Sequence, residues 1–278
     1  MFVLTLITIV APLFCLPINV NPAILFDGRF QQFGTIDGVK HAQPGVNGYQ
    51  THIFRQRINN QDGFKYLSFI PSVVSANDKS ALQVTLDNDS IFQPNDANQH
   101  NKIIRSDLVQ RFDASPQIKP SSGILAYFVS VKAPFGFISQ RLFQMIFMES
   151  NLFKLQVQKN GDGSSQMQFN VEGKTAVIAP FEASTTYNFC ILVDLGVNEI
   201  DLLISKNNDP LKHTMQKTVK VFGNMDISEF HIGMLVFDNA KATVDATETL
   251  VYSGTEIANF PSGSTADDFN RQFLVNIW

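Results

Sequence analysis

The chain predicts an all-β fold, a two-sheet β-sandwich of jelly-roll type. Short runs rich in β-branched and aromatic residues follow one another, each closed by Gly, Asn, Asp or Pro. Helical periodicity is scarce. The runs form one block without an internal repeat or a low-complexity linker, which suits a single sandwich.

Taken in order, the predicted strands begin with the apolar run 23–26 and continue at 66–69 and 81–86. Strand 104–112 carries Arg105 and Asp107 on one face and Ile104, Ser106 and Leu108 on the other. Runs 123–131 and 141–149 are largely apolar, and Gln144 alone relieves the second between Leu142 and the closing Glu149. In 153–158, Lys154, Gln156 and Gln158 oppose Phe153, Leu155 and Val157. In 166–171, Gln166, Gln168 and Asn170 oppose Met167, Phe169 and Val171. Asn160, Gly161, Asp162 and Gly163 supply a hairpin turn between these two. Strands follow at 175–178, 187–194, 199–204, 218–221, 229–237 and 247–252, with turns at 196–198 and 207–210. The tail 260–266 reads as loop, and 267–278 suits either a short amphipathic helix or a final strand.

Composition bounds the function. Hydrophobic residues make up 44% of the 278 and charged residues 17%, enough to bury a sizeable core. Phe is abundant at 25, whereas Trp278 is the single Trp. A net charge of −4 and the lack of a Lys/Arg run argue against nucleic acid or an anionic membrane as partner. Residues 1–20 read as a secretory signal peptide, apolar and too short for a comfortable membrane span, although the first basic residue is Arg29. The remainder, 21–278, reads as one secreted, soluble, monomeric domain. Cys15 falls within the signal, and Cys190 reads as a buried thiol, so the mature chain holds no disulfide. Asn88, with Asp89 and Ser90, forms one glycosylation sequon. His41, His52, His100 and His213 show no metal-ligand spacing, and neither metal nor cofactor is expected.

Three polar residues sit among dense hydrophobic neighbours. Asp107 shares a strand face with Arg105, a pair too costly to bury dry. Glu149 ends a buried run, where desolvation raises a carboxyl pKa unless the group is paired. His231 shares its face with Glu229 and Gly233, and the glycine leaves room for a ligand or another backbone. Each also has a plain structural reading, as a rim carboxylate or a hydrogen-bonded core histidine. The Gln-rich faces suit sugar hydroxyls, because amides both donate and accept, but a solvated outer sheet face gives the same pattern.

The order of motifs resembles the fungal glycoside hydrolase family 131, whose members act on β-glucan. The similar segments are Ile24 to Arg29 (Ile-Leu-Phe-Asp-Gly-Arg), Ser90-Ile-Phe92, Arg105-Ser-Asp-Leu108, Ile146-Phe-Met-Glu-Ser150, Asp209-Pro-Leu211 and Phe230-His-Ile-Gly233. The resemblance implies a jelly roll with an open glycan groove that holds Asp107, Glu149 and His231. It makes Glu149 one catalytic carboxylate and Asp107 the position of the other, acting as acid with base or nucleophile. Arg105 beside Asp107 favours the ionised form of that carboxyl, which leaves Glu149 as the better acid. Arg105, Gln144, Lys154 and Gln156 are the expected substrate-binding residues. The family's Glu is Asp107 here, one methylene shorter, and the first Arg of its pair is Ile104. Stacking platforms would come from Tyr49, Tyr66, Tyr127, Tyr187 and Tyr252, or from Phe.

The expected function is a secreted β-glucanase acting on β-1,3, β-1,4 or β-1,6 linkages by carboxylate acid/base catalysis. A non-catalytic glucan-binding protein and a glucuronan-type polysaccharide lyase are the alternatives. Signal cleavage is expected between Cys15 and Asn21. N-terminal sequencing of the exported chain tests this, and a start at Met1 would contradict it.

Overall fold

The computed structural model describes residues 21–32, 34–35, 63–71, 79–88, 90–92, 103–111, 122–219, 229–237 and 244–277. The expected signal, Cys15, Tyr49, His41, His52, His100 and Trp278 lie outside them. The fold is all-β, as expected, and consists of two antiparallel sheets. One is ordered β13 (Lys212–Thr218), β12 (Glu199–Lys206), β11 (Thr186–Asp194), β6 (Ile124–Lys132), β15 (Glu248–Phe260), β3 (Ser80–Leu86), β2 (Leu67–Pro71), and β1 (Ala23–Asp27) also pairs with β15. The other is ordered β10 (Lys174–Pro180), β9 (Ser165–Val171), β8 (Phe153–Lys159), β7 (Leu142–Met148), β14 (Glu229–Phe237), β5 (Ile103–Arg111), β4 (Ile91–Phe92).

The core fills the space between the sheets. Phe143, Phe153, Phe169 and Phe230 come from the second sheet and meet Tyr127, Val129, Phe189 and Ile191 from the first. Burying such aromatic surface is the main favourable term in folding, and it explains the heavy use of Phe. In β5, β8, β9 and β14 the apolar residues alternate inward, as the sequence pattern requires of a sheet with one core face.

The first sheet is covered on both sides. The C-terminal helix α1 (Ala266–Ile277) lays Phe269 and Phe273 on Phe128 and Phe260, over Ile124, Cys190, Leu192 and Leu203. Residues 267–277 are therefore helix rather than strand. A capping box starts the helix: Thr265 donates to the Asp268 carboxylate from both its backbone N–H, at 2.8 Å, and its hydroxyl, at 3.0 Å. Cys190 is a free, buried thiol whose pKa is pushed up by burial. Double coverage also explains the 13-residue length of β15, where the sequence shows only 247–252. A strand buried on both faces loses its alternation and is hard to bound.

Two further expectations are corrected. Strand β13 spans Lys212–Thr218 and overlaps the expected 218–221 only at Thr218, with 220–221 outside the described residues; it is an exposed edge strand, and its Lys and Thr residues mask it. Tyr66, Tyr127, Tyr187 and Tyr252 are all buried, so none offers a sugar platform. Tyr252 crosses the core instead. Its hydroxyl donates to the Gly233 carbonyl at 2.5 Å and lies 3.1 Å from the Met145 carbonyl.

Candidate active site

Asp107, Glu149 and His231 converge at one end of the outward face of the seven-stranded sheet. Strands β5 and β14 pair so that Asp107 stands opposite Gly233, and His231 opposite Val109. This is a close approach: a Cβ on Gly233 would lie 2.3 Å from the Asp107 Cα and from the Ser106 carbonyl oxygen. Gly233 also has φ +148, which side-chain-bearing residues rarely adopt. The room beside His231 is thus taken by another backbone.

Where β14 meets β7 the register shifts between Ile232 and Leu235, and β7 shifts against β8 between Gln144 and Ile146. This bulge lets Met145 and Ile146 both enter the core, while Gln144 and Phe147 face outward with His231. Phe147 stacks on the His231 ring at 4.6 Å and 7°. Tyr252 supports the bulge from behind, bonding the carbonyl of Gly233 and touching that of Met145. At the end of β7 the Glu149 N–H donates to the Glu229 carbonyl at 3.2 Å, which brings Glu149 to the start of β14.

The polar groups form one connected cluster. Arg105 grips Asp107 with Nε on Oδ1 at 2.5 Å and Nη2 on Oδ2 at 2.9 Å. His231 Nδ1 is 2.6 Å from Asp107 Oδ2, so Nδ1–H donates there. Arg105 Nη2 lies 2.9 Å from the same Nδ1, but two donors cannot bond each other, and the arginine is held by Asp107. On the far side of the ring, Nε2 lies 3.1 Å from Glu149 Oε2, in ion-pair range but out of line for a hydrogen bond. Arg105 Nη2 is 3.7 Å from that same oxygen. One guanidinium nitrogen therefore sits between the two carboxylates.

Exposure separates those carboxylates. The Asp107 side chain is 3% exposed and both of its oxygens are engaged, whereas that of Glu149 is 53% exposed. Burial pushes Asp107 up, but the Arg105 charge and the His231 bond outweigh it and bring the pKa down to about 2. Contact with His231 is the chief reason that Glu149 lies below the usual carboxylate range, against a smaller effect of burial. This corrects the expectation that desolvation raises Glu149: the group is paired and half open. For His231, burial lowers the pKa, but Asp107 and Glu149 more than compensate and raise it. The cluster thus carries its proton on the imidazole.

The expected binding residues share the face with this cluster. Gln144, Gln156 and Lys154 all point away from the core, and burial lowers the Lys154 pKa despite the nearby Glu149 charge. Asn88 is exposed, but its amide is tied to Val244 by two 2.8 Å bonds, which compete with a glycan there. Phe147 is the residue that sequence reasoning missed, and Tyr252 has a different role from the stacking expected of it. Phe147 looks like core, and only the bulge gives either residue its place at the site. Among the described residues, no group of three or more His, Cys, Asp or Glu side chains is arranged to hold a metal ion.

The model described as the glycoside hydrolase 131 catalytic N-terminal domain matches residues 24–263, and the chain belongs to that family. Two solved structures share the fold. The GH131 β-glucanase catalytic domain from Podospora anserina superposes with a TM-score of 0.66 at 19% identity, covering 87% of this chain and 97% of its own. The catalytic domain of the family 131 protein from Coprinopsis cinerea gives 0.65 at 20% identity, covering 87% and 100%. No curated protein matches the chain.

The cluster sets a pH dependence. A raised His231 pKa contributes stability that is fully present below the unfolded value, about 6.5, and is lost as pH rises through the folded pKa. A lowered Asp107 pKa contributes stability present above about 3.9 and lost as pH falls towards 2. NMR titration of the His231 ring is therefore expected to show a midpoint above 6.5, falling in Asp107→Asn. A wild-type midpoint at or below 6.5 would contradict the cluster's charge assignment.

Proposed function

We propose that the chain is a β-glucan-cleaving glycoside hydrolase, exported from the cell, that works without a cofactor. The observation that carries this is the Arg105–Asp107–His231–Glu149 cluster on the outward sheet face of a family 131 chain. Cleavage of a glycosidic bond uses an acid and a second carboxylate. Glu149 is the carboxylate that meets solvent, and protonated His231 holds Nε2 3.1 Å from its Oε2, so a small turn of the exposed Glu149 side chain brings the two into line for proton transfer. Glu149 takes that proton and delivers it to the leaving oxygen, so its acidity comes from His231 rather than from desolvation. Asp107, kept ionised by Arg105, is the second carboxylate, and it also holds the imidazole through Nδ1.

One observation favours a second reading, a glucan-binding protein without turnover. Asp107 is buried and both of its oxygens are already bonded, so contact with sugar requires Arg105 or His231 to release it. The lyase alternative loses support because Arg105, its charge-neutralising residue, is committed to Asp107.

Product analysis on β-1,3, β-1,4 and β-1,6 glucans and on glucuronan separates the three. Hydrolysis releases reducing sugar from a glucan, and Glu149→Gln is expected to slow it by at least about a hundredfold. Full activity in that variant would remove Glu149 from the chemistry. Products absorbing in the ultraviolet would indicate a lyase, and retention on insoluble glucan without product would indicate binding alone.

A further inference from the structure

The end of the sandwich away from the cluster displays bare apolar side chains on a stiff loop. The connection between β6 and β7 carries Phe135 at 81% exposure and Ile138 at 54%. Phe135 is the most exposed large hydrophobic residue among those described. The loop has little freedom to fold these side chains away. The Ala133 carbonyl accepts from the backbone N–H groups of Gly136, at 3.3 Å, and Ser184, at 2.8 Å. The Ser184 hydroxyl donates to the Pro134 carbonyl at 2.7 Å. The buried Glu248 carboxylate accepts the N–H groups of Ile138, at 3.1 Å, and Ser139, at 2.7 Å. Between the two exposed residues, Phe137 is buried and stacks on Phe143 at 4.4 Å. Apolar side chains held out by a loop that is bonded at both ends mark a contact surface.

Three kinds of partner fit such a surface: a folded protein, a bilayer or a layer of sugar rings. Size and charge decide among them. The two side chains present about 200 Å² of apolar surface, against about 800 Å² per partner in a stable protein–protein interface. That is too little for a second copy of the chain or for another folded protein. Lys132 and Arg141 bracket the loop, but the net charge of −4 opposes an anionic bilayer. Even a single myristoyl chain, with more carbon than these two side chains together, binds membranes only marginally. A small patch suffices where the partner is already held elsewhere on the molecule, because the second contact then forms at a high effective concentration. An insoluble polysaccharide meets that condition, since it brings many parallel chains to one protein. The C–H face of a β-linked glucose ring is apolar and flat, as a Phe ring is, and Gln140, exposed beside Ile138, offers donors and an acceptor to hydroxyls.

We propose that Phe135 and Ile138 form an anchoring platform for the surface of insoluble β-glucan, separate from the site that cuts it. Strand β7 lies between the loop and Glu149, roughly 20 Å of extended chain, so a sugar at Glu149 does not touch Phe135. The platform grips a neighbouring stretch of polymer and keeps the protein on the particle between cuts. This rests on the glycoside hydrolase reading and adds to it that the substrate is met as a solid.

The test compares binding to particles with turnover of a soluble substrate. Binding isotherms on insoluble β-1,3-glucan and on cellulose are measured in Glu149→Gln, with and without Phe135→Ala and Ile138→Ala together. The two loop substitutions should weaken particle binding about tenfold, as for one lost stacking contact. In the otherwise wild-type chain they should leave kcat/KM on soluble β-linked glucose hexasaccharides within about twofold. Phe135→Trp should bind particles at least as tightly as wild type, and Phe135→Leu should bind as weakly as Phe135→Ala. Unchanged particle binding in the double variant overturns the platform alone, as does an equal loss on particles and soluble oligomers. Full binding by Phe135→Leu overturns the stacking. Wild-type binding to phosphatidylcholine or phosphatidylserine vesicles, or self-association in sedimentation, that the loop substitutions abolish would assign the loop to a bilayer or a second copy and overturn the proposal. No binding and no cleavage of any glucan by the wild-type chain overturns the glucanase reading as well.

Discussion

The ion pair between Arg105 and Asp107 is the constraint around which the site is arranged. A carboxylate as buried as Asp107 stays ionised only where a cation is held against it, and Arg105 meets it with two nitrogens. An ionised Asp107 fixes the tautomer of His231 and keeps its proton in place. The proton on His231 in turn holds Glu149 low although Glu149 is open to solvent. One buried charge therefore sets the state of two neighbours.

The backbone is shaped to allow this arrangement. Asp107 and His231 come together because β5 approaches β14 more closely than side chains permit, and Gly233 is the residue that makes room. The bulge between β14 and β7 turns Phe147 outward under the imidazole and leaves backbone carbonyls facing the core. Tyr252 of the opposite sheet bonds there, and burial together with the nearby Asp107 charge raises its own pKa. The core is thereby part of the site. Farther along the same face the charges give way to the amides of Gln144, Gln156 and Gln168.

Much of the fold was legible in the sequence. Strands with one core face, such as β8 and β9, show their alternation plainly, and β14 was bounded at Glu229–Phe237 as the structure has it. Three features were hidden for physical reasons. Strand β15 is apolar on both faces under the helix, β13 is a polar edge, and the bulge at Met145 leaves no mark in an already apolar run. At the site, the residue types of Asp107, Glu149 and His231 stood out, but their adjacency came from the family resemblance alone. The environment of Glu149 is hidden in the sequence, which shows the apolar run before the carboxylate and not the imidazole beside it. Tyr252 fits a sugar platform on sequence alone because an exposed phenol and a buried one look alike there.

The central claim is that Asp107, His231 and Glu149 act as one unit. A double-mutant cycle in kcat/KM on β-glucan, with Asp107→Asn, Glu149→Gln and the two combined, tests it most directly. Coupled groups predict that the double variant is about as impaired as the worse single variant, because either change disables the shared proton. Losses that multiply, each variant costing the same factor whether or not the other is present, would contradict a single coupled centre.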